Sequence, residues 1–266
     1  MAEISRYISK EEKYSLIQIL NSTLPVALVT GSTSGIGAAI ARRLSSEGYA
    51  VVLHSRSSVE TGLALAAELG KAIYIQADLA KDADRIRLIQ EAISWQGRLD
   101  VLINNAGISR VIPHEDLMAA SPAIWNELHE VNVVAPFRLV AEAEAALRDA
   151  ARHGRPACVV NVSSHAGIRP KGASIPYASS KAALNHVTRL LAVSLSPNIR
   201  VNAVAPGLVD TPLTEDWIAA QQLWRECSPM RRAARPEDIA QIVAMLVASD
   251  YLTGEILLSD GGLNLT

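Results

Sequence analysis

The stretch Val26-Ala-Leu-Val-Thr30-Gly31-Ser-Thr-Ser34-Gly35-Ile36-Gly37 passes from an apolar run through a glycine turn into Ala38-Ala-Ile-Ala-Arg42-Arg43-Leu44. Strand, glycine turn and helix in that order are the setting a dinucleotide phosphate requires. Glycines let the backbone turn tightly and approach a pyrophosphate, and the helix N-terminus supplies free N–H groups and a positive dipole end. Gly31, Ser34, Gly35, Ile36 and Gly37 are therefore candidate phosphate contacts. A tight strand–helix corner without a ligand is the plainer alternative, and the three glycines at spacings of four and two weigh against it.

Outward from this turn the alternation continues. Tyr49-Ala-Val-Val-Leu-His-Ser55 reads as a second strand, and in a doubly wound sheet its end faces the adenosine ribose. An acidic residue there would hold a free 2′-hydroxyl. The chain has Ser55 and Arg56 instead, so no carboxylate repels a 2′-phosphate and a guanidinium stands by to fork onto it. NADP(H) is favoured over NAD(H), although a solvated loop arginine is the other reading and Ser34 adds no second base. A helix over residues 58–70 ends at Gly70. A third strand, Ala72 to Leu79, closes on Asp78 and Leu79, with Asp78 in reach of an adenine amino group. A helix over 82–96 closes at Gly97, and Leu99-Asp-Val-Leu-Ile-Asn104-Asn105-Ala106-Gly107 reads as a fourth strand. The pattern predicts an α/β fold: one doubly wound, Rossmann-like parallel sheet with helices on both faces.

Farther along, Ala157-Cys-Val-Val-Asn-Val-Ser163-Ser164 predicts a strand that ends on Ser164, followed by Tyr177-Ala-Ser-Ser-Lys181. Tyr and Lys four apart share a helix face. A nearby ammonium favours the phenolate, so Lys181 is expected to lower the Tyr177 pKa, giving a phenol that exchanges a proton with a carbonyl or alcohol. Alone, the pair could be two surface residues. The glycine turn and the Ser-Ser strand end give it context.

In order and spacing the chain resembles a short-chain dehydrogenase/reductase over roughly residues 25–266. The resemblance rests on Thr30-Gly31-x-x-x-Gly35-Ile36-Gly37, Asn104-Asn105-Ala106-Gly107, Asn132 within Glu130-Val-Asn-Val, Ser164 and Tyr177-x-x-x-Lys181. Pro206-Gly207 and Asp260-Gly261-Gly262 complete it. It implies a catalytic tetrad of Asn132, Ser164, Tyr177 and Lys181. In that scheme Tyr177 is the general acid, Lys181 also holds the nicotinamide ribose, and Asn132 places a water. Asn105, Ala106 and Gly107 would hold the strand ends near the cofactor, and Pro206, Gly207, Val209 and Thr211 would lie by the nicotinamide. Residues 212–232, with Trp217 and Trp224, fall where relatives carry a substrate-covering segment: an apolar wall, or ordinary aromatic packing. Relatives often pair the helices of 133–153 and of Tyr177 and Lys181 across a subunit interface, which implies a homo-oligomer, a tetramer or a dimer. The overall pattern is most like 3-oxoacyl-carrier-protein reductases, and the run from Pro229 to Asp238 resembles theirs; many sugar, polyol and small-ketone reductases share that pattern. A catalytically idle NADP-binding sensor or scaffold is the rival from another class, with no need for all four groups.

Composition narrows the rest. The 266 residues carry 25 basic and 27 acidic side chains, a net charge of −2, which calls for neither nucleic acid nor an anionic membrane as partner. Cys158 and Cys227 are the two cysteines, far apart, which fits a reducing cytoplasm rather than a disulfide scaffold. No run approaches the roughly 18 consecutive apolar residues of a spanning helix. No metal site is expected, since His114 and His129 have no second ligand at metal spacing. His165, beside Ser164, reads as a loop residue that could touch substrate. Arg152, His153 and Arg155 form a small basic loop. Residues 1–24 read as a helical appendage, started by Ser9-Lys10-Glu11-Glu12, on a dinucleotide-binding catalytic domain over 25–266.

Overall fold

A computed structural model describes residues 24–266 except His153 and Arg155; the helix expected after Ser9 lies outside the described residues. The strands are β1 (Val26–Val29), β2 (Ala50–Ser55), β3 (Ala72–Gln76), β4 (Val101–Asn104), β5 (Ala157–Val162), β6 (Ile199–Pro206) and β7 (Ile256–Ser259). They form a seven-stranded sheet in the order β3-β2-β1-β4-β5-β6-β7, with every neighbouring pair parallel. The chain winds outward from β1 to β3, then returns to β4 on the other side of β1. That reversal opens a crevice at the carboxyl ends of β1 and β4, where ligands of open parallel sheets bind.

Helices α1 (Gly35–Ser46), α2 (Val59–Leu69) and α8 (Pro236–Ala248) cover one face. The other carries α3 (Asp82–Gln96), α5 (Ala135–Ala151) and α6 (Ile175–Leu195). Two covered faces explain why the central strands are continuous apolar runs rather than alternating ones. Leu28, Leu53, Leu102 and Ile103 are fully buried, each worth about 1.5–3 kcal/mol in water removed from its side chain. Polar side chains that enter this core tie elements together, although Asn104 Oδ1 and Arg200 Nε are left without a partner. Asn104 Nδ2 donates to Asn161 Oδ1 (2.9 Å) and Asn161 Nδ2 donates to Thr188 Oγ1 (2.8 Å), tying β4, β5 and α6 together. Arg200 on β6 donates to the Leu246 and Val247 carbonyls and so satisfies the C-terminal end of α8.

Several boundaries differ from expectation. β3 stops at Gln76, so Asp78 and Leu79 lie in the following turn; β5 stops at Val162, so Ser163 and Ser164 lie beyond it. The helix within 111–131 is short, α4 (Pro122–His129), and a π-turn (Glu130–Val134) joins it to α5. Between β6 and α8 lies α7 (Ile218–Cys227), none of whose residues is buried.

Candidate active site

The glycine turn is held from below by two side chains. Thr30 Oγ1 accepts the N–H groups of Asn105 (3.0 Å) and Ala106 (3.0 Å), and Asn105 Nδ2 donates to the carbonyls of Thr30 (2.8 Å) and Gly31 (3.0 Å). The ends of β1 and β4 are thereby locked edge to edge. Gly31 has φ +63°, and a Cβ at Gly37 would sit 2.2 Å from the Gly31 carbonyl oxygen, so neither tolerates a side chain.

The third support comes from His54. Its Nδ1 accepts the Gly31 N–H (3.1 Å), which leaves Nε2–H to donate to the Ala77 carbonyl (3.0 Å). Burial pulls its pKa down to about 4, so the ring is neutral at ordinary pH. A histidine following the apolar run Ala50-Val-Val-Leu53 of β2 was the available signal, and sequence reasoning gives it no role.

Ser164 precedes a short 3₁₀ turn (His165–Gly167), and its Oγ accepts the Ala166 N–H at 3.2 Å. Tyr177 lies in the first turn of α6, where Ser174 caps the helix by accepting the Tyr177 N–H (3.3 Å). The Ser164 hydroxyl also acts on the Tyr177 phenol, favouring its ionised form. Lys181, one turn on, is buried; its Nζ lies 6.0 Å from the phenol ring centroid and donates to the Val162 carbonyl (2.9 Å). These positions correct one expectation. Burial pushes the Tyr177 pKa up, with only the Ser164 hydroxyl pulling the other way, while burial brings Lys181 itself down to about 8. The Lys181 ammonium is turned toward the Val162 carbonyl and does not offset the burial of the phenol.

Asn132 sits in the π-turn, buried. Its Nδ2 donates to Ile108 O (2.9 Å) and Ser180 Oγ (3.1 Å), and its Oδ1 accepts the Ile108 N–H (2.9 Å). The two N–H donors of the amide are thus spent on the loop after β4 and on α6. Glu130, two residues earlier, pairs with the buried Arg85 of α3, whose Nε donates to the Leu79 carbonyl (2.6 Å). Arg85 links the turn after β3 to the turn that carries Asn132, a connection no local spacing announces.

A cavity of about 930 Å³ opens along the carboxyl edge of the sheet. It gathers Gly31, Ser34, Gly35, Ile36, Gly37, Asn105, Ala106, Gly107, Ser164, Tyr177, Lys181, Pro206, Gly207, Val209 and Thr211 onto one surface. Five expected contacts do not line it. Ser55 is buried, bonded to the Tyr74 hydroxyl (2.8 Å), and Arg56 is exposed beyond the end of β2. Asp78 accepts the Ala80 N–H, the Leu79 side chain is core, and Asn132 lies behind Ile108. Trp217 and Trp224 do line the cavity, as the apolar wall. His165, expected in a loop, is buried in the same wall, with its ring edge-on to Trp224 at 6.1 Å and its Nε2 3.6 Å from Asp260 Oδ2. Burial lowers its pKa and the Asp260 carboxylate opposes that shift. The Asp260 oxygens meanwhile accept the Gly262 (3.0 Å) and Asn264 (2.8 Å) N–H groups, which explains the place of Asp260-Gly261-Gly262 near the C-terminus.

The surface suits a nicotinamide dinucleotide. The N-terminus of α1 has no side-chain cap, so its N–H groups are left for an anion, and the glycines leave room that a Cβ at Gly37 would close. Fold and site together define the Rossmann-type oxidoreductases. Residues 31–264 match the family model described as enoyl-(acyl carrier protein) reductase. The chain is 51% identical, over 91% of its length and 96% of the relative's, to a protein whose name assigns it to ketoacyl reduction in the granaticin polyketide synthase of Streptomyces violaceoruber. It is similar to the 3-ketoacyl-(acyl-carrier-protein) reductase of Brucella melitensis, solved with NADH (30% identity, TM-score 0.83, 90% and 98% of the two chains). It is also similar to Pseudomonas aeruginosa RhlG, solved with NADP (33% identity, TM-score 0.83, 90% and 96%). The chain belongs to the short-chain dehydrogenase/reductase family. It is an oxidoreductase acting on CH–OH or C=O groups, as its relatives are.

Proposed function

We propose that the chain is an NADP(H)-dependent carbonyl reductase whose substrates include 3-oxoacyl thioesters or small ketones, and that Tyr177 is its general acid. The observation that carries this is the convergence of Ser164, Tyr177 and Lys181 on one cavity with the glycine turn. When bound, NADPH supplies the hydride. Gly31, Ser34, Gly35, Ile36 and Gly37 would hold its phosphates, and Asn105, Ala106, Gly107, Pro206, Gly207, Val209 and Thr211 would line its nicotinamide half. Ser55, Asp78 and Leu79 lie toward its adenosine end, which His54 ties to the glycine turn. Arg56 is exposed and has no ion pair among the described residues, which leaves it open to a 2′-phosphate.

Tyr177 gives its phenolic proton to the carbonyl oxygen as negative charge develops there. Ser164, on the same cavity wall, would donate its hydroxyl proton to the same oxygen and keep substrate and acid in register. A phenol held neutral by burial is the correct starting state for an acid in reduction. Lys181 holds the nicotinamide ribose. Asn132 fixes Ile108 and the helix around Ser180, and a water it positions would relay protons from solvent to Lys181. The protein is cytoplasmic in this reading; among the described residues no helix is long and apolar enough to cross a membrane. It assembles as a homo-oligomer, a tetramer or a dimer.

The test is NADPH and NADH oxidation over a carbonyl panel that includes an acetoacetyl thioester. Consumption of NADPH in preference to NADH is expected, and Arg56→Asp should shift the ratio toward NADH. Cofactor binding without consumption on every carbonyl would replace the reductase with a sensor. An unmoved ratio in Arg56→Asp would mean another group reads the 2′ position.

A further inference from the structure

Ionisable side chains of the cavity sort into three sets. Tyr177 and Lys181 serve the reacting carbonyl. Lys171 and Asp216 are exposed at the rim. His165 alone is a buried ionisable side chain without a role, 6% exposed and set in the wall next to Ser164.

Its ring makes no hydrogen bond among the described residues, because 3.6 Å from Nε2 to Asp260 Oδ2 is beyond hydrogen-bond range. Neither ring nitrogen is among the fully enclosed polar atoms left without a partner, so the imidazole, with one donor and one acceptor, is open to the cavity. Trp224 holds the ring edge-on, and Asp260 is itself fixed by the Gly262 and Asn264 N–H groups, so the imidazole has a stiff backing. Around it the wall is apolar, with Leu213, Trp217, Ile218 and Leu223 offering no hydrogen bond to a ligand beyond the indole N–H. A substrate lying along this wall would meet the His165 imidazole next to Ser164.

We propose that His165 reads a second oxygen on the substrate, so that the enzyme selects ketones bearing another carbonyl or hydroxyl near the one reduced. This rests on the reductase reading of the site. Since Asp260 does not fix the ring proton by a closed hydrogen bond, the imidazole can donate to a carbonyl or accept from a hydroxyl. Both members of a β-oxo and β-hydroxy pair are therefore recognisable, in line with a substrate that keeps its second oxygen through turnover.

The experiment compares acetylacetone, its half-reduced β-hydroxy ketone and the five-carbon methyl ketone with no second oxygen, with NADPH as reductant. Wild type, His165→Leu and His165→Gln are measured, with NADPH affinity by fluorescence confirming an intact cofactor site. The wild type should favour the two-oxygen ketones in kcat/KM. His165→Leu should lower that preference at least ~10-fold, the discrimination lost with a buried polar contact. His165→Gln, which keeps a donor and an acceptor, should restore most of it. The arm that carries the preference reports whether the ring donates or accepts. Equal loss on all three ketones in both variants would make His165 a packing residue and overturn the assignment, as would a ratio that does not move. A wild type that consumes NADPH with no ketone at all would remove the reductase reading, and this assignment with it.

Discussion

At Tyr177 two effects oppose each other: burial raises the pKa of the phenol, and the Ser164 hydroxyl lowers it. Replacing Tyr177 by Phe keeps the ring and removes only the hydroxyl. That variant should bind NADPH as the wild type does and lose roughly 10²–10⁴ in kcat, the span of general-acid catalysis, in a stopped-flow assay at saturating ketone. Retained turnover would remove the assignment. The pairing of Tyr177 with Lys181 was legible from spacing, whereas the direction of the shift was not, since spacing says nothing about how far water is excluded. His54 offers a separate, thermodynamic test. The folded ring refuses a proton until about pH 4, while the unfolded chain takes one near the ordinary histidine value of 6.5. The unfolded state therefore binds more protons throughout that window, and stability falls as pH drops through it. Between about pH 7.5 and about pH 5, urea titrations should show the wild type losing roughly 2 kcal/mol more than His54→Asn. Equal losses would mean that the ring is not held neutral in the fold.

Elements were legible to the extent that their signals were local. Strands buried on both faces announce themselves as apolar runs, and Gly70 and Gly97 mark the ends of α2 and α3 as expected. What stayed hidden depends on contacts between distant segments. The π-turn before α5 is stabilised by Asn132 on Ile108 and by Glu130 on Arg85, and neither partner is visible in the run Glu130-Val-Asn-Val. His165 likewise read as a loop residue because Asp260 reaches it only through the folded sheet edge. Arg85 is buried, and its remaining acceptors are the Leu79 carbonyl and, at 3.5 Å, an Asp82 oxygen. Glu130→Ala would leave that guanidinium short of charge compensation. Because the lost carboxylate is partly exposed, the cost should be modest, about 1–2 kcal/mol in chemical denaturation. The π-turn would relax with it and displace Asn132, so kcat should fall by more than NADPH affinity does. A variant destabilised with kcat unchanged would confine the pair to folding.

For the molecule as a whole, the outer surface of the α5 and α6 layer poses a question that the site does not answer. Val134 at the end of the π-turn and Phe137 at the start of α5 are 38% and 46% exposed, and Leu190 and Val193 late in α6 are 54% and 83% exposed. Ala141 and Ala145 continue the first stripe at helical spacing, so a run of α5 presents apolar side chains to solvent. Apolar faces on neighbouring helices of one layer are what a second copy would cover, and a twofold axis would let the same patch serve both partners. Tyr177 and Lys181 stand on α6, so such an interface would stiffen the helix that carries the acid. Phe137→Glu places a charge at the centre of the α5 stripe, where a closed interface would have to desolvate it. Light scattering on the wild type should give a multiple of the 28.5 kDa chain mass, and the variant should shift toward that single mass with its sheet intact by circular dichroism. A wild type that stays monomeric at micromolar concentration, or a variant that assembles unchanged, would leave this face free for some other occupant and separate the catalytic site from any assembly through it.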